Sequence, residues 1–444
     1  MKVTASIDLL LRRVEDELRY SEVIREGLGQ CLRLLARFTQ GPKRLAILTR
    51  ALSLCDRESA WKPIMKDIHQ MAEKANTGTW KAALLERSRL PGIVKQQPAL
   101  TRTIILKAPG AAGEKGVILA YFEYNLARLV LGLNESELKW ITDRFEIILA
   151  ASWTPTDYSL LGFAASILPD GLWIQPATHG ERTRLAAFHP KVRCLPGLAC
   201  DWINPTFYQP KQWDERSIDI LMIANWGAFK RHWEFFQALT QMPAKLRVVL
   251  VGQKEGTNTL ETIQRLAKQI GVPQTLDIRE SLSIEEVTHL QCDAKISMVN
   301  SRREGGCVAM VESLFAGCAI AMREGASIGS AAHINERTGS FLRPGYMAED
   351  LMKLLKKGQQ LNSAKWAAEN VSCFTTLLGI EKSIQANALL KSGVFTQGLI
   401  QPHWRPYPAF SYPNQATQLW PIYDDLHQRF PKVFPANLIS SSSA

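Results

Sequence analysis

Five short apolar runs between residues 218 and 322 constrain this chain more than any other feature. They read IDILMIA (218–224), LRVVLVG (246–252), TLDI (275–278), AKISMV (294–299) and CAIAM (318–322). Stretches of helical character separate and follow them, near 229–241, 257–270, 283–290, 308–316 and 347–357. Runs that are apolar at successive positions offer no polar face to water, which suits strands covered on both sides. Parallel strands cannot be joined by a hairpin and need a helical crossover. The pattern therefore predicts a Rossmann-like α/β domain with a parallel sheet.

A second, looser alternation precedes it. TIILKA (103–108), GVILAYF (116–122), FEIILAA (145–151), LWIQ (172–175) and VRCLP (192–196) are strand candidates between helical segments. The polar stretch PTFYQPKQWDERS (205–217), with Pro205 and Pro210, divides the two blocks and reads as an interdomain linker. Residues 5 to about 90 are helical in pattern, with an apolar stripe through Leu9, Leu10, Leu11, Val14, Leu18 and Val23. At 444 residues the chain exceeds one ordinary domain. The expected organisation is a helical N-terminal extension (1–100), a first Rossmann-like domain (101–212), a second (213–390) and a C-terminal tail (391–444) that packs back over them. The tail shows no strand pattern around QPHWRPYPAF (401–410) and ends in a helix at IYDDLHQRF.

The formal net charge is +11 and the pI about 9.2. The first hundred residues hold 18 Lys and Arg against 11 Asp and Glu. Arg12, Arg13, Arg19, Arg25, Arg33 and Arg37 recur at helical spacing, which leaves two readings open: a solvated helical face, or a surface for lipid headgroups or nucleic acid. The eight cysteines (31, 55, 194, 200, 292, 307, 318 and 373) form no C-x-x-C pair. Several, such as Cys307 and Cys318, sit in apolar patterns, which fits buried reduced thiols better than a disulfide framework or a zinc site. The start, MKVTASIDLLLRRVEDELRY, puts charges where a signal peptide needs an apolar core, and no run reaches the roughly 18 uncharged apolar residues of a membrane span. The expectation is a cytoplasmic protein, with peripheral attachment to an anionic membrane surface through the basic helices left open.

Several familiar chemistries are unsupported. APGAAGEKG (108–116) has the wrong spacing for a phosphate loop and leads into a strand, so it reads as a turn. G-x-G-x-x-G, H-E-x-x-H, G-x-S-x-G and D-x-D are absent, and the eight histidines show no metal-ligand spacing.

The chemistry concentrates in SRREGGCVAMVESLFAGC (301–318), which follows the strand ending at Asn300. Ligands of open α/β sheets bind at the carboxyl ends of strands, so Glu304 belongs to such a crevice and Glu312 to the helix beyond it. Gly305 and Gly306 let a ligand approach backbone amides, and a helix amino terminus favours anions. Met310, Val311, Leu314 and Phe315 surround Glu312, and a carboxylate buried among them needs a partner. The bland alternatives are a carboxylate that complements the helix dipole at Glu304 and an exposed helical glutamate at Glu312.

This segment resembles the E-x7-E signature of retaining GT-B-fold glycosyltransferases of family 4 (glycosyl transferases group 1), including Ser301 and the helix-ending Gly317. IDILMIANWGAFKRHWEFFQAL resembles the family's first strand and phosphate loop, LRVVLVGQ its next strand, and CLPGLACDWINPTFYQP the segment that closes the first domain. INERTGSFLRPG and AEDLMKLL resemble the elements after the donor site, so the likeness covers about 145–357 and is absent before about 100. It implies a GT-B architecture, two Rossmann-like domains facing a central cleft, and hexose transfer from a nucleotide sugar to an unidentified acceptor with retention of configuration. It further implies front-face attack with the leaving phosphate as base, and no metal or other cofactor. Carried over, Glu304 would bond hydroxyls of the transferred sugar, Glu312 the ribose hydroxyls, and Lys230 the leaving diphosphate, while Gly305 and Gly306 would lie along the donor. One position departs from the family: Asn225 stands where it has an arginine, and Arg231 is the candidate second positive charge. That departure motivates the competing reading, a catalytically degenerate GT-B scaffold that binds a nucleotide or a polyanion. Nucleic acid is not the expected partner.

Overall fold

A computed structural model of the chain describes residues 2–88, 90–94, 103–110, 113–152, 154–405 and 408–435. The chain forms two compact units, each assembled from two separate pieces. One unit takes Glu22–Trp202 with Cys373–Ala444, the other Met1–Ser21 with Ile203–Ser372.

The Glu22–Trp202 unit is built on a sheet whose order follows the chain: β1 (Thr103–Lys107), β2 (Gly116–Tyr121), β3 (Phe145–Ala150), β4 (Leu172–Gln175) and β5 (Val192–Cys194). Strands β2 to β5 are parallel, but β1 runs antiparallel to β2. The connection between them is too short for a crossover helix, and it closes as a turn in which Gly110 N donates to Glu114 O at 2.8 Å. Ala111 and Ala112 of that turn lie outside the described residues.

The helices before β1 are not a separate extension. Those at Gly41–Leu52, Glu58–Ala72 and Thr77–Arg87 place Leu45, Leu48, Ile64 and Trp80 in one core with Ile105, Leu119 and Ile148 of the sheet. Trp80 lies flat against Gly162, where a Cβ would come within 2.1 Å of its ring. The C-terminal piece completes the unit and shares its core. It contributes the helix Cys373–Ser392, a two-stranded antiparallel ribbon of Pro402–Trp404 with Pro408–Phe410, and the helix Trp420–Arg429. Ile400 N donates to Leu106 O at 2.7 Å and Ile105 N to Tyr423 Oη at 2.8 Å, so the tail occupies the backbone edge of β1. The ribbon contradicts the expectation of no strand there. Pro402 and Pro408 hid it, since proline is tolerated in a strand that is paired on one side only. Buried Lys107 and Glu114 pair at the mouth of the β1–β2 turn, and Thr396 N and Oγ1 donate to the same carboxylate.

The second unit carries β6 (Ile218–Ile223), β7 (Val248–Gly252), β8 (Leu276–Glu280), β9 (Ala294–Val299), β10 (Ala319–Arg323) and β11 (Gly339–Leu342). All are parallel, in the order β8-β7-β6-β9-β10-β11, which is the strand order of a Rossmann domain. The stretch read as a linker is part of this unit. Buried Arg216 donates to Lys211 O, Ala294 O and Ala316 O, while Asp293 accepts from Ser217 N, Ser217 Oγ and Lys211 Nζ. Burial alone would raise the Asp293 carboxyl, but these donors hold it down at about 2. The units therefore divide at 202/203 and 372/373 rather than at 212/213 and 390/391.

The helix Lys2–Tyr20 also belongs to this unit. Its polar side is the docked one: Arg13 donates to Gln237 and lies over Trp233, Asp16 pairs with Arg231 and Arg302, and Glu17 with Arg302. Leu10, Leu11, Val14 and Leu18 point outward, each 48–62% exposed. Among the described residues, no helix is long and apolar enough to cross a membrane. All eight cysteines are free thiols, with Cys31 exposed.

Candidate active site

The strand order reverses between β6 and its neighbours, with β7 on one side and β9 on the other. Loops leaving the carboxyl ends of β6 and β9 therefore part around a crevice, the usual ligand position of such a sheet. The loop after β6 carries Asn225, Lys230 and Arg231; the loop after β9 carries Ser301, Glu304, Gly305 and Gly306. Lys230 Nζ meets Glu304 Oε2 at 2.7 Å, with the two side chains only 11% and 13% exposed. Burial opposes the ammonium charge, yet Glu304 outweighs it and raises the Lys230 pKa above its ordinary value. Glu304 Oε1 has no hydrogen-bond partner among the described residues.

Backbone bonds hold the carboxylate in place. Glu304 N donates to Ser327 O, Ser327 N to Arg302 O, Gly329 N to Gly305 O and Ser330 N to Gly306 O, so the loop after β9 is zipped to the loop after β10. Cys307 then takes a left-handed conformation (φ 53°) before the helix Val308–Phe315. Such backbone strain in a non-glycine residue persists only where its surroundings enforce it. Burial first, and then the charge of Glu304, push the Cys307 thiol up to about 12. Glu312 is buried on the helix that begins there.

Arg231 is the other left-handed residue of the site (φ 57°), placed just before the helix His232–Leu239. Its guanidinium is committed to Asp16 and Glu234, which departs from the expectation that it lends charge beside Lys230. Asn225 shapes its own turn: Oδ1 accepts from Gly227 N at 3.2 Å, and Nδ2 donates to Glu255 at 3.1 Å.

Four further polar groups lie on or beside these loops, and of them the sequence reading marks only Ser301. Asn300 Oδ1, Ser301 Oγ, Ser330 Oγ and His232 Nε2 are buried without a hydrogen-bond partner among the described residues. Orphans of this kind are uncommon in folded chains, and a concentration of them asks for an explanation. Burial, aided by the nearby Lys230 charge, brings His232 down to about 3, so its ring is neutral at neutral pH. The available signal was proximity: His232 lies two residues after Lys230, and Ser301 three before Glu304.

Residues 204–371 match the family model of glycosyl transferases group 1. No curated protein matches the chain. Among solved structures, Anabaena Alr3699/HepE in complex with UDP and glucose is similar at 14% identity, over 60% of this chain and 78% of that one, with a TM-score of 0.47. Sucrose-phosphate synthase from Thermosynechococcus elongatus is similar at 13% identity, over 62% and 74%, also at 0.47. The pneumococcal O-GlcNAc transferase GtfA in complex with UDP and GlcNAc is similar at 11% identity, over 59% of each chain, at 0.44. The stretch similar to the glycosyl transferases group 1 model thus takes in Lys230, Glu304 and Glu312.

Proposed function

We propose that the protein transfers a hexose from a nucleotide sugar to a hydroxyl-bearing acceptor, with retention of configuration and without a metal. The observation that carries this reading is the Lys230–Glu304 pair, set in the crevice where the strand order reverses and with one carboxylate oxygen unengaged. Glu304 accepts hydrogen bonds from the sugar, Glu312 from the ribose, and the backbone at Gly305 and Gly306 lies along the donor. As the bond from the anomeric carbon to the diphosphate breaks, the nucleoside diphosphate takes the bonding electrons. Lys230 stabilises the charge that gathers there. The acceptor oxygen bonds to the anomeric carbon from the same face, and its proton passes to the departing phosphate oxygen.

A thermal-shift panel of nucleoside diphosphates and their sugars tests the donor half. A ligand at about a hundred times its dissociation constant adds about 2.7 kcal/mol of stability, and the shift should persist in EDTA. A flat response across the panel removes this reading. Binding without any release of nucleoside diphosphate from nucleotide sugars supports instead the degenerate scaffold, which is favoured by the uncharged Asn225 and by the capture of Arg231.

Peripheral membrane attachment belongs to the same proposal. An amphipathic helix docked by its polar side leaves Leu10, Leu11, Val14 and Leu18 as the face toward lipid, with Arg12 and Arg19 nearby for anionic headgroups. The full chain should sediment with anionic vesicles, and a Leu11→Asp/Leu18→Asp variant should stay in solution. Equal sedimentation of both, or of neither, counts against the attachment.

A further inference from the structure

The Glu22–Trp202 unit contains a cavity of about 300 Å³ that nothing above uses. Its walls come from the helix Gly41–Leu52, from Ser88 and Leu90, from Glu123, and from 155–159. Glu123 stands two residues after the end of β2, and the 155–159 segment lies beyond the end of β3. These are adjacent parallel strands, with Tyr121 level with Ala150. The cavity thus opens at the carboxyl ends of two neighbouring strands, where α/β sheets hold small ligands.

Three features set it apart from a packing gap. Its lining is polar: two carboxylates, Glu123 and Asp157, share it with the hydroxyls of Thr49, Thr156 and Ser159. A gap left by imperfect apolar packing has no such walls. Glu123 is fully buried, which sets a carboxylate in the wall away from bulk water. Thr156, only 3% exposed, has its Oγ1 without a hydrogen-bond partner among the described residues. The residue before Glu123 adds a further sign, since Phe122 holds a positive φ of 63°, a strained backbone for a non-glycine residue.

The remaining polar groups are already arranged. Ser88 donates to Asp157 Oδ2, Asp157 Oδ1 accepts from Leu160 N at 3.1 Å, and the hydroxyls of Thr49 and Ser159 are 2.7 Å apart. Carboxylate acceptors beside hydroxyls that both donate and accept are complementary to a ring bearing several hydroxyls. An anion such as phosphate, free or on a nucleotide, would face two carboxylates. Arg50 on the lining disfavours a cation. We infer that this cavity binds a compact polyhydroxylated molecule, a monosaccharide or a cyclitol, with Glu123 and Thr156 as its polar anchors.

The inference stands apart from the nucleotide-sugar reading, because these residues and the Lys230–Glu304 pair belong to different units. Saturation-transfer NMR on the full chain with glucose, galactose, mannose, N-acetylglucosamine and myo-inositol, each alone, tests it. At least one compound should receive saturation. Thr156→Val, close in volume, and Glu123→Gln should each weaken that compound's binding about tenfold or more. Should Glu123→Gln fail to fold, Thr156→Val and Ser159→Ala carry the comparison. No saturation of any compound overturns the inference, and so does a signal unchanged in the folded variants. A nucleoside diphosphate panel that stays flat while a monosaccharide binds here would remove the donor reading and leave this one standing.

Discussion

Glu304→Gln should lower transfer, or nucleotide-sugar hydrolysis if no acceptor is found, by a factor of about a hundred or more. That is the scale on which single preorganised polar groups act in transition states. Lys230→Met should do the same. Their effects on stability should differ from their effects on rate. Each single change leaves its partner's charge buried without a counter-ion, which costs about 3–5 kcal/mol, whereas the double variant Lys230→Met/Glu304→Gln removes both charges and should recover much of that loss. The double variant is thus expected to be more stable than either single one and no more active. The pH dependence follows from the sign of the Lys230 shift. A lysine raised in the folded state contributes its full stability below its ordinary value near 10.4 and loses it as pH rises through the higher folded value. The Lys230 contribution should therefore stay constant between about pH 6 and 9. A double variant with wild-type activity, or strictly additive losses of stability, would argue against these roles.

The second large effect is structural. Lys107 and Glu114 are 3% and 4% exposed, and Thr396 donates twice to the same carboxylate. The ammonium also lies 3.9 Å from the ring centre of Phe395, so this one charge pair joins the β1–β2 turn to a segment nearly 300 residues later. Lys107→Met should cost about 3–5 kcal/mol, because Glu114 remains buried and loses its counter-ion. Burial is the largest influence on the Glu114 carboxyl and raises it, but the donors Lys107 and Thr396 together hold it below the usual value. A lowered carboxyl contributes stability above its unfolded value near 4.3, and that contribution is lost as pH falls through the folded value. The wild type should therefore weaken below about pH 4 more steeply than a Lys107→Met/Glu114→Leu variant. Because a chain of two units need not unfold in one step, amide exchange in β1 and β2 is the suitable readout. Protection in Lys107→Met equal to the wild type would rule out the effect.

What was legible in the sequence is what local chemistry decides. IDILM and VVLVG announce buried parallel strands because they are apolar at nearly every position, and the apolar cores of β9 and β10 point the same way. The strand end alone put Glu304 in the crevice, and the family resemblance added Lys230. Pairing between distant residues was not legible. No local signal in NWGAFKR indicates that Arg231 meets Asp16, 215 residues away, so the expected second phosphate charge was assigned to a side chain engaged elsewhere. The ribbon at 402–410 was hidden by prolines, while β11 (GSFL), short and partly exposed, was read only through the resemblance of INERTGSFLRPG. The helical region before residue 100 read correctly as helix, but its division between two units rests on tertiary contacts alone. Arg216 shows the same limit: a linker of this composition became part of a domain through its buried guanidinium and the bonds of Asp293 to Ser217 and Lys211.

The interleaving of the two units also has a consequence in time. Arg302, which holds the first helix through Asp16 and Glu17, is made some 285 residues after them. At ribosomal speeds of about 5–20 residues per second, the helix waits roughly 15–60 s for its partner. Throughout that interval its leucine face and its carboxylates are exposed to the nascent chain's surroundings. The sheet of the Glu22–Trp202 unit likewise lacks the cover of β1 until the ribosome has passed Tyr423. Neither unit can close in the order in which it is synthesised, so this chain should depend on a holding chaperone more than two domains laid end to end would.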